Sequence, residues 1–347
     1  MEKRFKRGLI LGKFLPIHFG HMYLIQQGSE QCDNLTVLAC SLKSEPIPGY
    51  LRYRWVLEYC NKLKDKNTTV INITDELPQY PEEHPDFWNI WCNLVKQYEP
   101  DVIFSSEDYG LELARRLNIE HILVDKKRIK FPISGTKIRK KPYENWDMIY
   151  PGARPHFVDR IYFLGPESTG KTTATEMMSE YFKTSHIPEY GRILWERNSG
   201  EISLYDFCEI VVMQRDIENK IIRNSNNKFL FCDTETITTK VFCELYHPGE
   251  HKNLDNFFDH HIQRQLENRC HFFVLSPDVP AVQDGTRTFL EHRHKHFKMI
   301  LSELNKWNIP YVVLEGNYNE RLDIVKEYVK NLDSHKCTAN YQIGTEI

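Results

Sequence analysis

Short apolar runs alternate with amphipathic segments along the first third of the chain. The runs are LIL, LTVLACS, TVINIT, DVIF and HILVD, all between Leu9 and Asp125. Between them, apolar residues recur every four positions, as expected for helices with one apolar face. These positions are Leu51, Trp55, Tyr59 and Leu63, followed by Phe87, Trp91 and Val95. The alternation predicts an α/β fold with a parallel sheet covered by helices on both faces.

A second cycle of the same kind begins further along the chain. Its apolar runs are RIYFLG, KFLFCD, HFFVLS and PYVVLEG, and a helical pattern follows near residues 320–332. Between the two cycles, residues 140–157 hold three prolines and no clear periodicity, which is typical of a joint between domains. We therefore predict a first domain at residues 1–146, a linker at 147–158, a second domain at 159–335 and a polar tail at 336–347.

Composition narrows the class of protein. A chain of 347 residues suits two domains, and 45 basic against 48 acidic residues argue against a broad nucleic-acid surface. Nine cysteines without a CxxC pair indicate reduced thiols. No apolar segment is long enough for a membrane span or a secretory signal, so we expect a cytoplasmic protein that binds small anions.

The run RIYFLG leads directly into a phosphate-loop motif. Gly165 to Thr172 fits G-x-x-x-x-G-K-[ST] between a predicted strand and a predicted helix, which is the context that the motif requires. Backbone N–H groups would hold the phosphates of ATP, Lys171 would reach its β- and γ-phosphates, and the Thr172 hydroxyl would bind Mg²⁺. The predicted ATP-binding residues are Gly165, Glu167, Ser168, Thr169, Gly170, Lys171, Thr172 and Thr173.

Two later segments supply further candidates for this site. Asp233 ends the run KFLFCD and is the predicted second Mg²⁺ residue, although it could instead cap the next helix. In VQDGTR, Arg287 is typical of a lid arginine that neutralises a transferring phosphoryl group, and a solvated loop cation is the alternative. The sequence EHRHKHF spreads its histidines around a helix, which favours a solvated basic face over a metal site.

The loop GKFLPIHFGH near the N-terminus lacks the lysine and hydroxyl of a phosphate loop. His18 and His21 lie three residues apart at a predicted helix start, where both imidazoles can donate to polyphosphate oxygens. A second cluster, in PISGTKIRK, offers the hydroxyls of Ser134 and Thr136 and the guanidinium of Arg139. Both clusters follow strands, at the edge where open α/β sheets bind ligands, although the histidines alone could be core or capping residues.

These two clusters carry a resemblance. GKFLPIHFGH resembles the GxFxPxHxGH signature and ISGTKIR the ISxTxxR signature of the nucleotidyltransferase superfamily. With a P-loop kinase unit after them, and with PGARPHF, PEYGR, DTETITTKVF and VQDGTR in the same order, the chain is similar to the bifunctional nicotinamide mononucleotide adenylyltransferase/ribosylnicotinamide kinase (NadR) family.

The resemblance implies two reactions in NAD biosynthesis. A kinase domain would phosphorylate nicotinamide riboside with ATP, and a Rossmann-like adenylyltransferase domain would join the mononucleotide to AMP from a second ATP. Its implied catalytic residues are His18, His21, Arg139, Lys171, Asp233 and Arg287, with Mg²⁺ held by Thr172 and Asp233. The implied nucleotide contacts in the first domain are Gly12, Lys13, Phe14, Gly20, Ser134, Thr136 and Trp88.

Some implied roles leave alternatives open. Glu189, Tyr190 and Arg192 of PEYGR would approach the riboside, although Glu189 could cap a helix instead. One of Trp88 and Trp91 would stack on nicotinamide, and Trp91 fits a core position better because it shares a face with Phe87 and Val95. The sequence DTE replaces the usual DTD of the family, which leaves the role of Glu235 open.

Two other functions compete with this reading. A coenzyme A synthase also joins an adenylyltransferase to a P-loop kinase, but the paired histidines, PEYGR and VQDGTR argue against it. A nucleotide-sensing transcriptional regulator would carry an N-terminal DNA-binding domain, and we expect none because the first strand begins by Leu9. The expected partners are therefore ATP, nicotinamide riboside, the mononucleotide and NAD, without nucleic acid or membrane, and a homo-oligomer stays open.

Overall fold

The chain folds into two compact α/β units, Met1–Arg154 and Pro155–Ile347. The structure is a computed structural model and describes residues 3–281 and 290–333. The boundary between the units falls within the segment predicted as a linker, in a 3-10 stretch at Pro151–Phe157. Among the described residues, no helix has both the length and the apolar composition needed to cross a membrane.

The first unit is built on a parallel five-stranded sheet. Its strands are β1 (Phe5–Gly12), β2 (Cys32–Cys40), β3 (Thr68–Ile73), β4 (Val102–Ser105) and β5 (Glu120–Leu123), in the order β3-β2-β1-β4-β5. Its helices are α1 (Phe19–Gln31), α2 (Gly49–Cys60), α3 (Phe87–Lys96), α4 (Tyr109–Leu117) and α5 (Gly135–Lys140). All five predicted strands are present, and β1 occupies the centre of the sheet.

The second unit repeats this architecture with different connections. Its strands are β6 (Asp159–Leu164), β7 (His186–Ile187), β8 (Phe229–Asp233), β9 (Arg269–Leu275) and β10 (Tyr311–Leu314), in the order β10-β9-β6-β8-β7. Its helices are α6 (Lys171–Tyr181), α7 (Tyr190–Arg197), α8 (Asp206–Asn224), α9 (Thr236–Tyr246), α10 (Asp255–Leu266), α11 (Arg293–Lys306) and α12 (Tyr318–Asp333). The two-residue strand β7 has no apolar run and was not predicted.

The most apolar runs form strands that are buried on both faces of their sheet. Every residue of β4, β6 and β8 is buried, so both faces of each sheet are covered at these strands. In the first unit, α3 packs Phe87, Trp91 and Val95 into the core against Leu9 of β1. Because the strands are parallel, their carboxyl ends meet at one edge of each sheet, and the central strands β1 and β6 deliver the two phosphate-type motifs to that edge.

Candidate active sites

The loop between β1 and α1 stacks two histidines against each other. His18 occupies the N-cap position of α1, and the rings of His18 and His21 lie with their centroids 3.8 Å apart. Each ring has a buried Nδ1 atom without a hydrogen-bond partner among the residues described. The three-residue spacing thus brings both imidazoles together, with a nitrogen of each left for a ligand.

Burial sets the charge of these imidazoles. Removal from water lowers the pKa of His21 to about 3, and the nearby charge of Arg128 acts in the same direction. Burial likewise lowers the pKa of His18 well below its ordinary value, assisted by His21 and Arg128. Both rings are therefore neutral near pH 7, and each can donate one hydrogen bond from its protonated nitrogen.

The second predicted cluster touches the histidine loop. Ser134 is the N-cap of α5, where its hydroxyl accepts a backbone N–H of the same helix at 3.3 Å. Arg139 donates to the Leu15 carbonyl and, at 3.3 Å, to the Thr136 hydroxyl. Gly135 permits this approach, because a Cβ atom there would lie 2.3 Å from the Leu15 carbonyl oxygen. The fold thus places two segments more than a hundred residues apart in sequence on the two sides of one site.

The chain that leaves the first unit also contacts the histidine loop. His18 pairs with Ile149 in an isolated antiparallel bridge, and the Tyr150 N–H donates to the Ile17 carbonyl at 3.3 Å. The Tyr150 hydroxyl in turn donates to Glu58 at 3.1 Å. The start of the segment predicted as a linker is therefore a structural part of the first unit.

A buried network of charged side chains binds the histidine loop at Lys13. Arg52 is only 1% exposed and donates to the Lys13 carbonyl at 2.8 Å. Glu45 accepts from Arg52 at 2.6 Å and lies 2.9 Å from the Lys13 ammonium. Burial acts to raise the pKa of Glu45, but bonds from Leu42, Lys13 and Arg52 outweigh it and leave this pKa below its ordinary value. Nothing in the sequence pattern pointed to Arg52, because it lies beside the apolar stripe of α2.

The remaining loop residues shape the histidine pair. Phe14 is buried at a φ of 46°, and its ring centroid lies 5.0 Å from that of His21. A Cβ atom at Gly12 would touch the Phe14 ring at 3.4 Å, and one at Gly20 would lie 3.0 Å from the ring of His18. The contact at Gly12 is an ordinary one, whereas at Gly20 a side chain would crowd the ring of His18, so a small residue is favoured at position 20.

The two tryptophans of α3 have different surroundings. Trp91 is buried, and its indole N–H donates to the Pro78 carbonyl at 3.0 Å, so its core assignment is confirmed. Trp88 is half-buried, and the guanidinium of Arg116 lies 5.0 Å from its ring centroid. Of the two rings, that of Trp88 is the one with a face near solvent.

In the second unit, the phosphate loop joins β6 to α6. Ser168 and Gly170 adopt positive φ angles of 59° and 91°, which turn the chain tightly into the helix. The Lys171 ammonium donates to the carbonyls of Gly165 and Pro166 at 3.0 and 2.9 Å, so it lies within the curve of its own loop. An arriving phosphate would exchange these carbonyls for stronger, charge-assisted bonds.

Asp233 reaches this loop from the end of the neighbouring strand. Its Oδ2 accepts from the Thr172 hydroxyl at 2.6 Å, whereas its Oδ1 is buried without a partner among the described residues. One carboxylate and one hydroxyl form an oxygen donor set that fits Mg²⁺, which takes its other ligands from phosphates and water. Burial raises the pKa of Asp233, against the opposing effects of Lys171 and Thr172.

The carboxylate that caps α9 belongs to Glu235, not to Asp233. Glu235 accepts from the backbone N–H groups of Ile237 at 2.6 Å and Thr238 at 2.8 Å, and from the side chain of Gln265 at 3.3 Å. Burial raises its pKa to about 7 despite these bonds. Glu235 therefore caps a helix, while Asp233 contacts the phosphate loop.

The PEYGR segment divides between the cavity and the core. Glu189 and Arg192 line the cavity beside the phosphate loop, and the side chain of Glu189 makes no capping bond to α7. Burial and the charge of Asp233 raise the pKa of Glu189. Tyr190 is absent from the cavity lining, because it is buried with its hydroxyl donating to Glu209 at 2.8 Å.

An apolar wall completes this cavity, whose volume is about 160 Å³. The predicted loop residues from Glu167 to Thr173 form its polar side. The apolar part of the lining, which the sequence did not reveal, consists of Trp195, Ile202, Phe207, Ile210, Phe242 and Tyr246. A cavity lined by aromatic rings and a phosphate loop suits a flat ring attached to a sugar.

Two expectations about the region after β9 have different outcomes. Arg287 lies outside the described residues. The solvated histidine face is wrong for His296, which is fully buried with its ring centroid 4.5 Å from that of Phe242, whereas His292 and His294 are exposed. His296 shares the buried face of α11 with Ile300 and Leu304, at intervals of four residues.

Comparison with known proteins agrees with these two units. A family model described as an AAA domain matches residues 160–321. The trifunctional NAD biosynthesis/regulator protein NadR of Escherichia coli is 30% identical over 94% of this chain and 83% of its own length. A nicotinamide-nucleotide adenylyltransferase of Thermococcus onnurineus is 23% identical over 53% of this chain and 99% of its own. A crystal structure of NadR protein in complex with NR superposes with a TM-score of 0.67 at 23% identity, covering 94% of this chain and 97% of that one.

The class of the protein is thus a nucleotidyltransferase-type α/β unit followed by a P-loop kinase-type unit. The match along nearly the whole chain makes the assignment more specific. The chain belongs to the NadR family.

Proposed function

We propose that this protein makes NAD in two steps, each in its own unit. The second unit phosphorylates nicotinamide riboside with ATP, and the first joins the resulting mononucleotide to AMP from a second ATP. The observation that carries the proposal is the pairing of two different phosphate sites, each at the end of a central strand. The relatives named above, a NAD biosynthesis/regulator protein and a nicotinamide-nucleotide adenylyltransferase, support it.

In the first unit, the side chains bind and orient the triphosphate. The phosphate oxygen of the mononucleotide attacks the α-phosphorus of ATP in line, and the bond to pyrophosphate breaks. His18 and His21 donate to the polyphosphate from one side, and Arg139 compensates the charge that develops on pyrophosphate. No proton moves in this step, so positioning and charge stabilisation are sufficient and no general base is needed.

In the second unit, Lys171 binds the β- and γ-phosphates, and Thr172 and Asp233 would hold Mg²⁺, which would supply further positive charge to neutralise them. The primary hydroxyl oxygen of the riboside attacks the γ-phosphorus, and ADP leaves. Glu189 accepts the proton of that hydroxyl, since its raised pKa makes it a stronger base than an exposed glutamate. Arg192 lies close enough to the cavity to contact the transferring group.

The aromatic wall gives the kinase its preference for a ring. Trp195, Phe242 and Tyr246 present large apolar surfaces to the cavity, and a pyridinium cation gains from contact with such faces. We propose that this wall, with Glu189 and Arg192, forms the riboside subsite. The neighbouring Tyr190 would then act only through the core, because its hydroxyl is bound by Glu209.

The deciding experiment supplies the purified protein with Mg²⁺, ATP and one acceptor at a time. We expect nicotinamide riboside to yield the mononucleotide, then NAD and pyrophosphate, and the mononucleotide alone to yield NAD. A parallel reaction with phosphopantetheine tests the coenzyme A alternative. Formation of dephospho-coenzyme A without any NAD would overturn the proposal.

A further inference from the structure

Two carbonyl groups of the phosphate loop are bound by residues that do not line the cavity. When the backbone N–H groups of such a loop face a bound phosphate, its carbonyls turn outward and need donors of their own. The Gly170 carbonyl is satisfied within α6, by the N–H of Ala174 at 2.9 Å. The carbonyls of Gly165 and Pro166 accept from Lys171, but this lysine is also the group that must bind ATP.

Arg293 supplies one of the missing donors from outside the loop. It is the first residue of α11, only 7% exposed, and its Nη2 donates to the Ser168 carbonyl at 3.1 Å. Its Nη1 donates to the Val279 carbonyl at 2.9 Å, in the segment that follows β9. One planar guanidinium thus joins the phosphate loop to the chain beyond a central strand.

Arg321 holds the next carbonyl of the loop from α12. It is 2% exposed and donates to the Thr169 carbonyl at 3.3 Å. Its other nitrogens donate to the carbonyls of Gly316 at 3.0 Å and Ser276 at 3.2 Å, and it also pairs with Asp278. Consecutive carbonyls of the loop are therefore bound by two arginines from different helices.

We propose that Arg293 is a positioning residue of the kinase reaction, which together with Arg321 fixes the outward carbonyls of the phosphate loop. This role rests on the proposed kinase function of the second unit. When ATP binds and Lys171 leaves the carbonyls of Gly165 and Pro166, the Thr169 hydroxyl still donates to the Pro166 carbonyl at 2.9 Å, and the bonds from the two arginines are the ones that hold the loop from outside. Neither arginine lines the cavity, so neither needs to touch the substrate.

The geometry favours arginine over lysine at position 293. A guanidinium spans two carbonyls with fixed, coplanar donors, whereas an ammonium is a point charge on a flexible stem. Loss of the bridge would displace the Ser168 carbonyl and with it the loop N–H groups that bind phosphate. Since misplacement of binding groups by about 1 Å is costly, we expect the KM for ATP in the kinase reaction to rise by about tenfold or more.

The test compares Arg293→Gln and Arg293→Lys with Lys295→Gln. Lys295 is exposed on the same helix, so its replacement removes one positive charge without removing a bond to the loop. We expect both Arg293 variants to raise the kinase KM for ATP more than they lower kcat, with adenylyltransferase rates and melting temperature close to wild type. The Lys295→Gln variant should retain the wild-type KM.

Several results would overturn this role. An unchanged KM in Arg293→Gln, full rescue by Arg293→Lys, or an equal effect of Lys295→Gln would each show that the two-carbonyl bridge is not what matters. A parallel titration of the protein with AMP-PNP in the presence of Mg²⁺ measures nucleotide affinity without catalysis. The binding site that is lost in Lys171→Ala is the phosphate-loop site. If the wild type made no mononucleotide but this affinity still fell in Arg293→Gln, the kinase proposal would fail while the positioning role stood.

Discussion

The two phosphate-type loops offer different groups for binding a negatively charged polyphosphate. The histidine loop offers two neutral, buried imidazoles, and the cations beside it, Lys13 and Arg139, are bound to protein oxygens. The loop of the second unit offers backbone N–H groups, the ammonium of Lys171 and the carboxylate of Asp233. A polyphosphate can thus be held by directed donors of low charge or by strong charges around a metal ion.

This difference matches the phosphorus atom that each proposed reaction attacks. Transfer from the γ-phosphorus requires a hydroxyl to lose its proton, and the second unit places Glu189 in the lining of that cavity, with Asp233 bound to the lining residue Thr172. Attack on the α-phosphorus by a phosphate oxygen moves no proton, and the histidine loop contains no carboxylate; Glu45, which contacts Lys13 of this loop, is paired with Arg52. The sharpest tests of the comparison remove one group from one loop and measure both reactions.

Lys171→Ala should have the largest effect. It removes the side-chain cation that the β- and γ-phosphates require, so we expect the kinase rate to fall by about 10³-fold. NAD formation from the mononucleotide should remain within about twofold, because the histidine loop belongs to the other unit. Separate assays of the two half-reactions measure this, and loss of both activities in a folded variant would contradict independent sites.

His21→Ala should lower the rate of adenylyl transfer and leave riboside phosphorylation unchanged, with a smaller effect than Lys171→Ala. Removal of one neutral donor while His18 and Arg139 remain should reduce adenylyl transfer by about 10²-fold. Phosphorylation of the riboside serves as the internal control for concentration and folding. A normal rate of adenylyl transfer in this variant would mean that the stacked imidazoles do not bind the polyphosphate.

The pH dependence of the two reactions should also differ. The pKa of His21 is lowered to about 3 and that of His18 is lowered further, so neither imidazole should titrate in the adenylyltransferase profile between pH 5 and 8. The pKa of Glu189 is raised above the ordinary glutamate value. Below this raised pKa, the kinase rate should fall about tenfold for each pH unit. Rates measured across this range for each half-reaction, with Glu189→Gln as the control, test both expectations. A kinase profile with no acidic limb would remove Glu189 as the base.

Glu235→Gln should change stability more than catalysis. An acid whose pKa rises from 4.5 to about 7 on folding contributes stability at low pH that is lost as the pH increases through this window. The glutamine variant cannot ionise, so its free energy of unfolding relative to wild type should rise by roughly 3 kcal/mol between pH 4 and pH 8. Denaturation of both proteins at the two pH values measures this difference, since all other groups are shared. Parallel pH dependences would show that Glu235 ionises normally.

Much of the fold could be predicted because its signals are local. The apolar runs marked all strands except β7, whose two residues are defined by pairing with β8 alone. The approach of the Ser134–Arg139 segment to the histidine loop, through the bond from Arg139 to the Leu15 carbonyl, was likewise predictable, since parallel strands place their carboxyl ends at one edge.

The features that could not be predicted depend on residues that meet only in the folded chain. Arg52 sits beside an apolar stripe in sequence, yet it is buried because Glu45 and the carbonyl groups beside it satisfy its guanidinium. The aromatic wall collects side chains from α7, α8, α9 and the connection at Ile202, and these meet only in the folded chain although α7 and α9 carry the motifs PEYGR and DTETITTKVF. Tyr190 was grouped with Glu189 by adjacency, but successive residues at a helix start point in different directions.

The bridge between His18 and Ile149 has a practical consequence for dissecting the enzyme. A gene fragment that stops at residue 146 would encode both phosphate-type clusters of the first unit but would leave His18 of the histidine loop without its bridge partner. A fragment that keeps this bridge intact continues through Tyr150 to Arg154, where the compact unit ends. We therefore expect a fragment that ends at Arg154 to be more stable than one that ends at residue 146.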